Sequence, residues 1–180
     1  MLDSMARRAA ATRSEPLGVM VESPRGATVK FKYDPAAGVM TLSRPLPLGL
    51  AYPFNWGFVR GTRAEDGDPL DAFILWDASS YPGVVIPCRA IGIVNLEQTS
   101  TKSGRRERND RVAVVPLESP RQDALASALD LPLRVRREIE AFFLHSGVFE
   151  GKDTKVLSWE GPPAALRAVR EASRRPRSMP

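Results

Sequence analysis

The chain has 180 residues, 43% hydrophobic and 26% charged, with 13 Gly and 16 Pro: enough for one domain with its own core, too few for two, and too apolar for pervasive disorder. Its formal charge of +5 lies at the ends, +1 over residues 1–16 and +4 over 164–180, leaving 17–163 neutral, which argues against a folded nucleic-acid-binding face. A single cysteine, Cys88, excludes an intramolecular disulfide, and no apolar run approaches the roughly 18–20 residues that cross a membrane, so a cytoplasmic protein is expected.

From about Leu17, short alternating or apolar runs are broken by Gly and Pro, the pattern of a sheet-rich domain. "VMVESP" predicts a first strand and "ATVKFKYD" its neighbour, with Val29, Phe31 and Tyr33 on one side and Lys30 and Lys32 together on the other. "DPAAGV" predicts a turn into the strand "MTLSRPL", and the proline-rich "PLPLGLAYPFNWGFV" an irregular crossing that ends in a strand. Beyond an acidic stretch, "AFIL" and "GVVIPCRAIGIVNLE" read as buried strands. "QTSTKSGRRERND" reads as a polar loop, with Arg105, Arg106 and Arg108 at a solvated hairpin tip before the strand "RVAVVPL".

Helices come late. Ser119 and Pro120 suit the N-cap and first position of a helix over "RQDALASAL", and Asp130 suits the cap of a second with Val135, Ile139, Phe142 and Phe143 on one apolar stripe. Pro162 and Pro163 suit the start of a third, "AALRAVREASRR". His145 falls near a helix end, where a capping role is expected, and Trp76, Tyr81 and Trp159 are expected to pack. The sum is a mainly β fold with α (α+β): a β-barrel or strongly bent sheet with two or three helices outside it. A tail is expected over 1–16, the folded unit over 17–163, and a C-terminal helix with a basic tail over 164–180.

The acidic stretch "EDGDPLDAFIL" places Glu65, Asp66, Asp68 and Asp71 against an apolar strand. Asp66 and Asp68 share one side of an extended chain, and a bend at Gly67 and Pro69 brings Asp71 to them. Carboxylates so close repel, which calls for protonation, water or a cation; Mg²⁺ and Mn²⁺ take such oxygen ligands. Lys30, Lys32, Arg44 and Arg111 supply cations elsewhere in the chain, and metal plus Lys and Arg is a kit for a phosphate-rich anion.

"DGDPLD" also resembles the D-x-D-P-x-D motif of family I soluble inorganic pyrophosphatases. The similarity runs from about Val19 to Lys152 through "VKFKYD", "LSRPLPLGLAYPFNWGF", "CRAIGIV", "NDRVAVVP" and "IEAFFLHSGVFEGK". The resemblance implies a small, highly twisted, five-stranded OB-like β-barrel flanked by helices. It implies hydrolysis of inorganic diphosphate to two orthophosphates with more than one Mg²⁺, or Mn²⁺, by a metal-activated water, and self-association into a homo-oligomer. It makes Asp66 and Asp71 metal ligands, Asp68 the residue that helps deprotonate the attacking water, Glu22 an outer metal-shell residue, Lys30 and Arg44 phosphate holders and Tyr52 part of the pocket wall.

Departures from the bacterial pattern cluster at the substrate. Lys32 stands where a Glu is usual, Trp56 replaces a Tyr, and Arg111 replaces a Lys while keeping a phosphate-binding fork. Gln98 falls where a metal-binding Asp is expected, with Glu97 as the neighbouring substitute; Asn109 or Asp110 meets the next such position, and the carboxylate of Asp110 is the expected ligand. Ser146 and Gly147 take the place of a Tyr-Lys pair that would bind the distal phosphate, so weakened turnover, or use of an organic diphosphate, is the alternative expectation.

Overall fold

The computed structural model describes residues 15–175; of the tails expected over 1–16 and 164–180, residues 1–14 and 176–180 lie outside the described residues. Among the described residues nine strands form in chain order: β1 (Leu17–Ser23), β2 (Val29–Asp34), β3 (Val39–Pro45), β4 (Asn55–Val59), β5 (Asp71–Ile74), β6 (Val85–Thr99), β7 (Arg106–Arg108), β8 (Arg111–Pro116) and β9 (Lys155–Glu160). The same residues hold two α-helices, which follow the sequence's late helical signals, α1 (Leu133–Ser146) and α2 (Pro162–Arg174).

Five strands close into a ring in the order β1, β4, β5, β8, β6 and back to β1. All of its pairings are antiparallel except β5 with β8. The five-stranded barrel expected from the sequence is present, and closure removes the free edges an open sheet would carry. β6, 15 residues long, outruns the ring and takes β7 and β9 along its far half. β2 and β3 form a separate hairpin. It is tied to the barrel by side chains at the end of β1: Ser23 Oγ accepts the Phe31 N–H at 3.0 Å and Glu22 Oε1 accepts the Tyr33 N–H at 2.9 Å.

Strand alternation feeds two cores. Ala72 and Ile74 of β5 join Val112 and Val114 of β8 in a core that α2 covers with Ala165, Val169 and Ala172. Phe73, Ala113 and Val115 face a second core, closed by Ile139, Phe142 and Phe143 of α1. Phe73 is its hub, with ring centroids 5.0 Å from Phe54, 5.5 Å from Phe143 and 6.3 Å from Trp159. The α1 stripe is thus core as its spacing predicts, with Val135 packed at the margin.

Four expectations are corrected. "RQDALASAL" forms only 3₁₀ turns, Pro120–Gln122 and Ala128–Asp130, because Arg89 of β6 takes the carbonyls of Leu125 (2.8 Å) and Gln122 (3.0 Å) that a helix would use itself. Asp130 lies inside the second of these turns, and Pro132 occupies the N-cap of α1 with no side-chain cap. Tyr81 is 78% exposed rather than packed. The polar loop contains β7, and Arg106 and Arg108 are engaged there: Arg106 bonds Glu97 at 2.6 Å and Arg108 pairs with Asp110 at 2.9 Å. His145 does serve its helix end, its Nδ1 lying 2.6 Å from the Ala141 carbonyl, to which an N–H there donates.

Candidate active site

The acidic stretch folds back on itself before β5. Ala64 N–H donates to the Asp68 carbonyl at 2.7 Å, Gly67 turns the chain with φ +91°, and Asp68 N–H donates to Asp66 Oδ1 at 3.0 Å. Only glycine adopts that φ without strain. Asp66, Asp68 and Asp71 are thereby brought to one cavity of about 290 Å³, joined by Glu22 from the end of β1. The bend at Gly67 and Pro69 thus sets the three aspartates along one cavity wall without bringing them to a single point.

Cations enter from three other elements. Lys30 and Arg44 are cross-strand partners in the β2–β3 hairpin, where like charges face each other at a cost unless an anion lies between or beside them. Lys32 lines the same cavity as Lys30, as their shared strand face predicts, with Nζ 3.7 Å from Asp68 Oδ2. Arg111, first residue of β8, reaches Asp71 Oδ2 at 2.9 Å, and its guanidinium lies 5.1 Å from the centre of the Trp56 ring. Its Nε is buried without a hydrogen-bond partner among the described residues, an unmet donor on the wall of both cavities.

An adjoining cavity of about 50 Å³ contains Arg44 and Tyr52 and shares Lys30, Trp56 and Arg111 with the larger one. Burial pushes the Tyr52 phenol up to about 12, against the opposing hydrogen bond from Ser23, so it serves as a neutral group. Burial also lowers the pKa of the Lys30 ammonium, with Asp71 opposing the shift.

Two of the sequence-predicted residues are not brought here. Neighbours on a strand face opposite ways, and on β6 it is Gln98 that lines the cavities while Glu97 lies with Arg106. Likewise Asn109 lines the larger cavity, whereas Asp110 accepts the Leu96 N–H at 2.9 Å and pairs with Arg108. The expectation that these two carboxylates join Asp66 and Asp71 is therefore not met; arginines of β7 hold them elsewhere. Sequence reasoning in turn missed Glu107, Glu150 and Lys152. The first sits in a loop read as solvated, and the other two follow a helix end whose turn, Gly151 at φ +68°, sets their direction.

Burial raises the pKa of the Glu22 carboxyl, countered by the Tyr33 N–H and reinforced by the charge of Asp71. Burial also raises that of Asp66, opposed by the Asp68 N–H and reinforced by the charges of Asp68 and Asp71. Such crowding of hard oxygen donors fits a divalent cation, which would relieve it. Among the described residues no three acidic or imidazole groups are gathered at one point ready for a metal. Asp71 leans on Arg111 and Asp68 on Lys32, so a cation would compete with these ammonium and guanidinium partners.

The inorganic pyrophosphatase family model matches residues 19–177. Inorganic pyrophosphatase of Thermus thermophilus is 38% identical over 159 residues, covering 87% of either chain, and that of Geobacillus stearothermophilus 35% identical over 151 residues, covering 84% of this chain and 88% of its own. The crystal structure of the Thermus thermophilus inorganic pyrophosphatase superimposes with a TM-score of 0.81 at 35% identity, over 90% of this chain and 91% of that one.

Proposed function

The chain belongs to the inorganic pyrophosphatase family, an enzyme of the inorganic diphosphatase type, and we propose that it hydrolyses inorganic diphosphate to two orthophosphates with divalent cations. The observation that carries this reading is the meeting, in one cavity, of Asp66, Asp68, Asp71 and Glu22 with Lys30 and Arg111.

When bound, divalent cations, Mg²⁺ foremost, held by Asp66, Asp71 and Glu22 would supply positive charge and an acidified water. Glu97 and Asp110, engaged by Arg106 and Arg108, are left out of that set. Lys30, Arg44 and Arg111 would hold phosphate oxygens, and Trp56 and Tyr52 would shape the wall. Attack of water on one phosphorus forms a P–O bond and breaks the bridging P–O bond, whose electron pair leaves with the second phosphate. Asp68, its side chain 64% exposed, would take the water's proton. The cations around it neutralise charge on the departing phosphate. Self-association and a cytoplasmic location belong to the same reading.

Phosphate release from diphosphate, with and without Mg²⁺ and beside Asp68→Asn, tests this. Metal-dependent release that collapses in the variant is expected; release equal in the two proteins would retire the reading. Gly147, with no side chain beside the smaller cavity, favours a second substrate class, organic diphosphates. Nucleoside diphosphates that yield no phosphate at any concentration would eliminate it.

A further inference from the structure

The two cavities differ in charge. In the larger, five carboxylates meet five cations, whereas the smaller holds Lys30, Arg44, Arg111 and Lys152 against the single carboxylate of Glu150. The smaller one is therefore an anion site whose resting anion is a side chain. Glu150 binds Arg44 through one oxygen and Lys152 Nζ, at 2.6 Å, through the other. Arg44 is fixed independently of it, donating to the Ser146 carbonyl at 2.7 Å.

Lys152 is built into this spot. Its carbonyl accepts the Thr99 N–H at the end of β6 at 2.5 Å, and the left-handed turn at Gly151 aims the residue back over the end of α1. Its stem lies where a side chain at position 147 would begin: a Cβ on Gly147 would stand 3.8 Å from Lys152 Cδ. Lys152 lines both cavities, as do Lys30 and Arg111. A two-phosphate ion spanning the cavities would pass between these three cations.

We propose that Lys152 is a substrate-binding residue, gripping the phosphate in the smaller cavity in exchange for Glu150, and so supplying from the following turn the cation that Gly147 cannot. This rests on the diphosphate reading of the site. Glu150 then acts as a resident competitor: while it holds Lys152 and Arg44, those two cations stay ordered and share its one negative charge, and an incoming phosphate with more charge and more acceptors displaces it.

The test is calorimetric binding of imidodiphosphate, a non-hydrolysed analogue, with Mg²⁺, beside steady-state kinetics on diphosphate. Lys152→Met should weaken binding and raise KM together by about tenfold or more, with kcat changed far less. Adding Gly147→Lys to Lys152→Met should restore most of the loss, which a merely structural role for Lys152 would not allow. Glu150→Gln keeps Lys152 and frees it, and should tighten binding by about three- to tenfold. Unchanged binding and KM in Lys152→Met, or no tightening in Glu150→Gln, would overturn the proposal. A wild-type protein that binds imidodiphosphate through Lys152 yet releases no phosphate from diphosphate would end the hydrolase reading and leave this one standing.

Discussion

Arg111 Nη1 stands 2.9 Å from Asp71 Oδ2, so a carboxylate on the wall of the acidic cavity already has a cation beside it. That guanidinium and a divalent ion would ask for the same oxygens. Arg111→Met should tighten Mn²⁺ binding, read by calorimetry or by the loss of the free-ion paramagnetic signal. It should also lower the stability of the metal-free protein by about 1–2 kcal/mol, less than for a fully buried pair because Asp71 retains 27% exposure. Weaker Mn²⁺ binding would mean that Arg111 organises the cation site rather than competing with it.

Glu150 gives an acid-side signature. Burial pushes its carboxyl up, but the hydrogen bond and charge of Lys152, with the charges of Arg44 and Lys30, outweigh this and hold it below the ordinary 4.5. A carboxyl depressed in the folded state stabilises above its unfolded value and loses that contribution as pH falls through the folded one. Urea melts should therefore show wild type more stable than Glu150→Gln at pH 7, with the gap shrinking as pH falls below 4.5. A gap independent of pH would remove the ion pairs as its source.

Burial lifts the Cys88 thiol to about 12, and the side chain is fully covered on β6. Thiolate is the reactive form, so the native protein should resist iodoacetamide and Ellman's reagent at pH 8, with one thiol appearing only in denaturant. Labelling at the rate of a free thiol in the native state would contradict its burial.

Gly57 of β4 sits opposite Val21 of β1. A Cβ there would lie 1.8 Å from the Met20 carbonyl oxygen and 3.0 Å from Val21 Cα, backbone atoms that cannot swing aside. Gly57→Ala should cost about 3 kcal/mol or more and leave the protein largely insoluble or molten. A soluble variant with a wild-type melting point would show that the two strands can part.

Strands were the most legible part of the sequence, because their apolar runs are bounded by Gly and Pro and their alternation matches the two cores. The acidic turn was legible too, since Gly67 permits and Pro69 fixes the bend that gathers three aspartates. What the sequence could not reveal depended on partners far along the chain. Nothing near Ser119 announces that Arg89 takes the carbonyls of Gln122 and Leu125. The choice between Glu97 and Gln98 is one of strand parity, where a one-residue step exchanges the faces, and that between Asn109 and Asp110 falls in the two-residue link between β7 and β8. Both are settled by Arg106 and Arg108 on β7, a strand too polar and too short to stand out. Lys152 was hidden for a different reason: its importance comes from the missing side chain at position 147 and from a turn in the chain, neither of which its own neighbours signal.

Closure of the ring through Leu17 and Cys88 also constrains how the molecule comes into being. β1 leaves the ribosome before its ring partners, of which only β4 is near in sequence; its other edge stays open until β6 emerges, and the ring is incomplete until β8 follows. Contacts so distant in sequence make for slow folding and a late, cooperative commitment. Until then the apolar faces of β1 and β4 are exposed to other nascent chains. A chain stopped ahead of β6 would be a sticky fragment with no barrel of its own, so the same closure that protects the finished sheet leaves its synthesis most vulnerable at the midpoint.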